Sequence, residues 1–584
     1  MNSYLECMEK RMTEGQKDRL KRIWEPTVVI TPLSDSRRDL CVLPDGEIRS
    51  YGRLYAESDR DKNAGMGYLS STDGGLSWTL HHSEGMMNSC TYLEKPKIYI
   101  TACDAHNGNV GLGEQGLWVL RSKIGPEDKE PEIIKISDEA YGDTFLPQQS
   151  AYSNRIWFTT QCSVDYNTRV ATFFYSDDWG KSWTKRTLPQ VKPLDVTYPH
   201  KGPRWSIASG TEPYAAELSE NKMMMIIRTP TDCFYKSYSY DGGDSWSQPE
   251  PSEFWGTNTT AFLLRLHDGR TVALWNNTKP LPEADHRATK PPVTETVAIG
   301  RHEDVFTNRD AAHAAISDNG GESFKGYREI LLNPIRGNGD FRYIGGVASS
   351  NDKSVHQFQA YELPFGKILV SAGQNAASRR LLIFDVQWLY ETARKEDFLL
   401  GLEKLSCHTY VRSISGCTVR SVGNGHCAWN RAPSAYLMPD PEGGYSESLY
   451  ISKRQDDRLY SEIGGATWNF PATKQGRVTV ELKIVEKQAR LTLTDRWYNP
   501  CDAYAAELSP FSIELDRAHT GEGFAKAELE YDTEKGRLAV TVNGKYLRDV
   551  DMRGTCPTGI SYLILQCATE GDSKGFYVKF LSKT

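Results

Sequence analysis

A chain of 584 residues exceeds what one hydrophobic core organises, so two or three domains are expected. Its 39% hydrophobic, 25% charged and 11% aromatic residues are those of an ordinary globular protein, which excludes the disordered and fibrous classes. A net charge of −7 argues against a nucleic-acid partner, the lack of any eighteen-residue apolar run argues against a membrane span, and twelve singly scattered cysteines suggest free thiols, with no metal and no cofactor expected.

Residues 1–27 read as a charged amphipathic helical extension, with Leu5, Met8 and Met12 on one side. No apolar leader segment is present at this end, so a cytoplasmic location is expected. From Val28 short apolar runs alternate with Gly, Asp and Pro turns. Val28 to Ile30, Leu40 to Leu43 with its Pro44-Asp45-Gly46 turn, Ile48 to Tyr51 and Gly67 to Ser70 are expected to form a first antiparallel unit. Cys90 to Cys103 with Gly116 to Leu120 form a second, Ala151 to Trp183 a third and Glu212 to Trp246 a fourth. Ala261 to Phe324 supplies a fifth and Gln359 to Asp385 a sixth.

Four of these units carry one eight-residue signature. Ser71 to Trp78, Ser176 to Trp183, Ser239 to Trp246 and Ser317 to Phe324 follow S-x-D-x-G-x-x-W, with Asn319 and Phe324 as the departures in the last. The Ser and Asp oxygens can bond the N–H groups of a tight turn, the Gly permits positive φ, and the aromatic ring folds back on the sheet. A turn recurring at this period marks radially repeated antiparallel sheets. These octets resemble the Asp boxes, or BNR repeats, of the sialidase (neuraminidase) superfamily, and that resemblance implies six blades. The fold class expected is all-β: a six-bladed β-propeller over 28–390, a helical linker over 391–405 beginning near Trp388, and a second domain over 406–584. There the strand runs Val478 to Ile484, Ala489 to Thr494, Ala527 to Tyr531, Leu538 to Val542 and Tyr562 to Gln566 alternate as in a β-sandwich of jelly-roll, lectin-like type. Support of the propeller is favoured slightly over glycan binding for this domain.

The resemblance also implies chemistry. Sialidases grip an acidic sugar's carboxylate with three arginines, whose planar fork matches it. They cleave with a Tyr nucleophile activated by a Glu and with an Asp acid/base on a loop before the first box. Glu212 and Arg228, separated by strand, turn and strand, match the family's Glu and second Arg; Arg309, ahead of Ser317, matches the third. For the first Arg, Arg38 is preferred with Arg37 as the alternative, and for the acid Asp61 is preferred over Asp59. Asn258 and Gln357 complete the substrate-binding set. The expected Tyr falls at His356-Gln357, where there is none; Tyr343 is the nearest substitute. His313, four residues after Arg309, is expected to share its face by the period-two rule, which makes His313 and His356 a candidate acid/base pair. Two functions follow: an exo-acting glycoside hydrolase that removes a terminal acidic sugar (sialic acid or a related ulosonic or uronic acid), or a non-catalytic glycan-binding propeller. Oligomeric state is left open.

Overall fold

The computed structural model describes the chain apart from residues 1–2, 34–38, 55–64, 105–111, 113–114, 165–168, 192–209, 230–232, 257–258, 280–308, 334–353, 374–377, 411–430, 457–458, 460 and 572. Strands make up most of the regular secondary structure of the described residues. Two helices, Ser3–Arg11 and Glu14–Arg22, take the place of the single N-terminal helix expected, because Thr13 caps the second: its hydroxyl accepts the N–H of Gln16, whose side chain reaches back to the Thr13 N–H.

Six separate antiparallel sheets follow one another along the chain. Sheet one is Leu40–Val42, Ile48–Arg53, Met66–Ser71 and Thr79–Ser83. Sheet two, which lacks a box, is Thr91–Leu93, Ile98–Asp104, Leu117–Ser122 and Glu132–Ser137. In sheet three the first position is split between Tyr141–Gly142 and Gln148–Gln149, both paired with Ile156–Ser163, before Arg169–Ser176 and Thr184–Thr187. Sheet four is Thr211–Ser219, Lys222–Arg228, Cys233–Ser239 and Glu250–Trp255. Sheet five is Phe262–Arg265, Thr271–Trp275, Ala311–Ser317 and Lys325–Leu332. Sheet six joins Gln359–Leu363, Lys367–Ala372 and Arg380–Asp385 to Thr27–Ile30 from the chain's beginning, with Val28 opposite Leu382, so Val28 to Ile30 complete the sixth sheet and not the first, a pairing across more than 350 residues that no local pattern announces.

Each sheet buries its apolar faces against the next. Leu93, Ile100 and Val119 of sheet two pack on Ile156 and Phe158 of sheet three, and Phe173 of sheet three on Met225 and Ile227 of sheet four. Tyr214, Phe262, Leu274, Val370 and Leu382 belong to one core through sheets four, five and six. Leu40 and Ile48 of sheet one meet Leu369 and Ile383 of sheet six beneath Met8, Met12 and Leu20 of the two helices. Cys41 and Tyr51 join sheet one to Tyr99 of sheet two. Burial of this kind contributes roughly 1.5–3 kcal/mol per large apolar side chain, and it is what aligns the first strands of consecutive sheets.

All four boxes are turns between the third and fourth strands of their sheets. In the third, Ser239 Oγ accepts the Gly243 N–H (2.8 Å) and donates to Asp241 Oδ1 (2.7 Å), the Ser245 N–H reaches Asp241 Oδ1 (2.9 Å), and the Trp246 indole donates to Gly243 O (3.2 Å). Gly243, at φ 98°, leaves no room for a Cβ, which would fall 2.3 Å from the Phe173 ring.

The helical linker is not found. A 3-10 turn, Val386–Tyr390, is capped by Asp385 and ends there; Arg394–Glu396 is a strand paired with Phe576–Lys583. Phe398 at φ 62° would break an α-helix, and Arg394 instead donates to Asn469 O (2.7 Å). The remaining strands form two sheets around a shared core that includes Trp468, Val480, Leu491, Leu529 and Leu563, with a two-stranded ladder, His408–Tyr410 and Arg431–Pro433, beside them. Among the described residues no helix is long and apolar enough to cross a membrane.

Candidate active site

Glu212 is the second residue of the first strand of sheet four and Arg228 closes the second strand. The antiparallel register, Thr211 opposite Arg228, sets them side by side. Arg228 Nη1 donates to Glu212 Oε2, and both side chains are 3% exposed. Glu212 sits at φ 42°, a costly conformation for a residue with a Cβ. It is held there by its own N–H, which donates to Gln161 Oε1 (3.1 Å), while Gln161 Nε2 donates to Asp143 Oδ2 (3.0 Å). The preceding Gly210 allows close approach, since a Cβ there would lie 2.5 Å from the Ala171 nitrogen.

Gln357 comes from ahead of sheet six, also left-handed at φ 63°, and its Nε2 lies 3.5 Å from Glu212 Oε1. Its neighbour His356 receives Arg309 Nη1 at Nε2 (3.1 Å). A guanidinium can only donate, so Nε2 is the acceptor and the imidazole carries its proton on Nδ1. Arg309 is fully buried and its carbonyl accepts the Val355 N–H (2.9 Å). Arg228, Glu212, Gln357, His356 and Arg309 therefore form one buried run of contacts from sheet four to sheets five and six. Two left-handed non-glycine residues in so short a run are the kind of local strain that functional sites hold in place.

His313 does not join this run. Burial pulls its pKa down to about 3, so the ring is neutral; Nδ1 accepts the Asn277 N–H (3.0 Å) and Nε2 donates to the Tyr562 hydroxyl. Tyr562 in turn donates to Glu329 Oε2 (2.9 Å). The period-two argument failed for two reasons. Arg309 precedes the strand, which starts at Ala311, and the pairing slips between Ala312 and His313. His313 is thus a contact between sheet five and the C-terminal sheets. His356 and His313 are not brought together: the His356 Nε2 accepts from Arg309, while Glu212 takes Arg228 and Gln357. Arg37, Arg38, Asp59, Asp61, Asn258 and Tyr343 lie outside the described residues.

One buried group escaped sequence reasoning. Asp39 accepts from Arg379 Nη2, from Ser50 Oγ and from Ser371 Oγ (3.1 Å), with aspartate and arginine both fully buried. The only sign of it in the sequence is an Asp directly after Arg37-Arg38. A cavity of about 530 Å³ bordered by Tyr92, Tyr152, Arg265 and His267 contains neither Glu212, Arg228, Arg309 nor His356, so it is separate from this site. Among the described residues no group of three or more His, Cys, Asp or Glu side chains could hold a metal ion.

A sequence family described as "BNR repeat-like domain" matches residues 129–344, which span the second, third and fourth boxes' sheets. No curated protein matches the chain. Among solved structures, a Dyadobacter fermentans protein of unknown function is 17% identical with a TM-score of 0.38, over 62% of this chain and 98% of its own. Trypanosoma rangeli sialidase in complex with sialic acid is 11% identical with a TM-score of 0.36, over 96% and 95%. NanB sialidase from Streptococcus pneumoniae is 11% identical with a TM-score of 0.37, over 62% and 71%. These likenesses are too distant to transfer a residue role. Residues 129–344 are therefore a BNR repeat-like domain, and the second, third and fourth boxes lie within it.

Proposed function

We propose that this chain is an exo-acting glycoside hydrolase that removes a terminal acidic sugar, and that its six sheets are the blades of a six-bladed propeller over residues 28–390, followed by a β-sandwich over 406–584. Arg228 and Arg309 bind the sugar carboxylate together with Arg38 or Arg37, and Glu212 is the general base. Asp61 is the acid and Tyr343 the nucleophile candidate, both on sequence grounds alone. His356 holds Arg309 in place. The observation that carries this reading is the Glu212–Arg228 pair, buried at a strained backbone and adjoining Arg309 through Gln357 and His356. Burying two guanidinium groups and a carboxylate together is costly unless the arrangement is used.

The absence of a Tyr at positions 356 and 357 keeps a glycan-binding propeller as the second reading. A screen of the full chain against aryl glycosides of ulosonic and uronic acids, with neutral glycosides as controls and direct binding measured in parallel, separates the two. Release from one acidic glycoside, lost in Glu212→Gln, is the expected result. Binding without release selects the second reading, release of neutral sugars in preference to acidic ones overturns the first, and neither binding nor release overturns both.

A further inference from the structure

Arg309 and Asp310 are consecutive and fully buried, yet they reach different parts of the molecule. Arg309 donates to His356. Asp310 faces the C-terminal ladder: Arg431 Nη2 and Asn333 Nδ2 (3.0 Å) donate to Oδ1, and His408 Nε2 lies 3.3 Å from Oδ2. The main chain is fixed at the same place, with the Asn333 N–H on Asp310 O (2.8 Å) and the Val355 N–H on Arg309 O (2.9 Å). The His408 and Trp497 rings stack with centroids 6.1 Å apart, and Trp497 exchanges backbone hydrogen bonds with the segment that follows the second strand of sheet five, its N–H on Asn277 O and its carbonyl taking the Lys279 N–H (both 2.9 Å). The contact is therefore continuous from the ladder to the peptide that carries Arg309. Both residues precede the strand that starts at Ala311, and their partners show one side chain reaching His356 while its neighbour reaches the ladder.

We infer that the Asp310–Arg431 pair is a positioning device through which the C-terminal sheets set the Arg309 guanidinium, which makes those sheets a working part of the acidic-sugar site. The inference rests on the reading of Arg309 as a carboxylate ligand. A second Arg-Asp sequence supports it: Asp39 directly follows Arg38 and is likewise fully buried on a second arginine, Arg379. Arg379 and Arg431 are then anchors rather than substrate ligands.

The test uses the full chain with Arg431→Met, Arg431→Lys and Asp310→Asn, and with Arg309→Met as reference. Hydrogen exchange at the Asn333 and Val355 amides is measured beside KM and kcat on the acidic glycoside identified in the screen. In Arg431→Met both amides should exchange at least about 10-fold faster, and KM should rise about 10-fold with kcat changed by less than about 3-fold, the pattern of lost ground-state binding. Arg431→Lys should recover part of both, whereas Arg309→Met should raise KM and leave exchange unchanged. A folded Arg431→Met with native exchange overturns the proposal, as does native KM in that variant when Arg309→Met raises it. An unchanged KM in Arg309→Met instead overturns the ligand reading, while the exchange result still decides whether Asp310 is an anchor. Should Arg431→Met not fold, His408→Gln removes another partner of the same carboxylate and is decided by the same readouts.

Discussion

The Asp-box turns and the Glu212 cluster are both networks of carboxylates and short hydrogen bonds, but they are built on opposite plans. Every bond within a box joins residues at most four positions apart. In the cluster the separations are 16 residues for Arg228 and Glu212, 47 for Arg309 and His356, and 145 for Gln357 and Glu212. A box can form from its own octet and tolerates repair in place, whereas the cluster exists only when sheets four, five and six have all docked. The boxes are therefore modular stabilisers, and the cluster is a product of the whole assembly.

That contrast can be broken most directly at Glu212. Glu212→Ala leaves the Arg228 guanidinium buried without its carboxylate, and a loss of about 3–5 kcal/mol in urea unfolding is expected together with a fall in glycosidase rate of at least about 10²-fold. Glu212→Gln should keep most of the stability and lose the rate. Equal, small effects of both on activity would remove the cluster from the chemistry. The next effect in size is at a box. Asp241→Ala deletes the acceptor of the Ser245 N–H and Ser245 hydroxyl and should cost about 1–3 kcal/mol with kcat/KM unchanged. A change in kcat/KM there would show that box and cluster are coupled.

A pH titration sharpens the same distinction. Burial pushes the Asp178 carboxyl up, but the hydroxyls of Ser182 and Ser176 and the N–H groups of Ser182 and Lys181 outweigh it and hold the group at about 2, below its ordinary 3.8. A depressed carboxylate contributes stability that is complete above about 3.8 and is lost as pH falls towards 2. The thermal midpoint should decline across that window, and less steeply in Asp178→Asn. The smallest effect belongs to the fourth box, where Asn319 Oδ1 already accepts the Ser323 N–H (3.1 Å) and Nδ2 donates to Ser323 Oγ (2.9 Å). Asn319→Asp should change stability by less than about 0.5 kcal/mol, since the amide meets the same turn geometry.

The separation of contacting residues also explains what could be read from the sequence. The boxes were legible because their ligands and turn glycines lie within eight residues, and the alternating strands of the C-terminal sheets because a period of two is local. Glu212, Arg228 and Arg309 were singled out by the resemblance, and the structure brings them into one run of contacts through Gln357 and His356. The pairing of Asp39 with Arg379 was not, because no local pattern announces a contact across 340 residues. His313 was misplaced by carrying strand parity back through Arg309, which lies outside the strand. The segment after Trp388 has the apolar spacing of a helix, yet Arg394–Glu396 is drawn into pairing with Phe576–Lys583, a partner the local pattern cannot reveal.

The pairing of Thr27–Ile30 with Arg380–Asp385 has a bearing on how the chain is made. Val28 leaves the ribosome long before Leu382 is translated; at roughly 10 residues per second the first strand waits on the order of half a minute for its partner. Throughout that interval Leu40, Ile48, Met8, Met12 and Leu20 lack the Leu369 and Ile383 surface that later covers them. The nascent chain thus carries an exposed apolar strip at its N-terminal end, a natural substrate for a holdase chaperone. A chain cut short before Arg380 would keep that strip open for good, so premature termination in this protein should yield aggregates rather than soluble fragments.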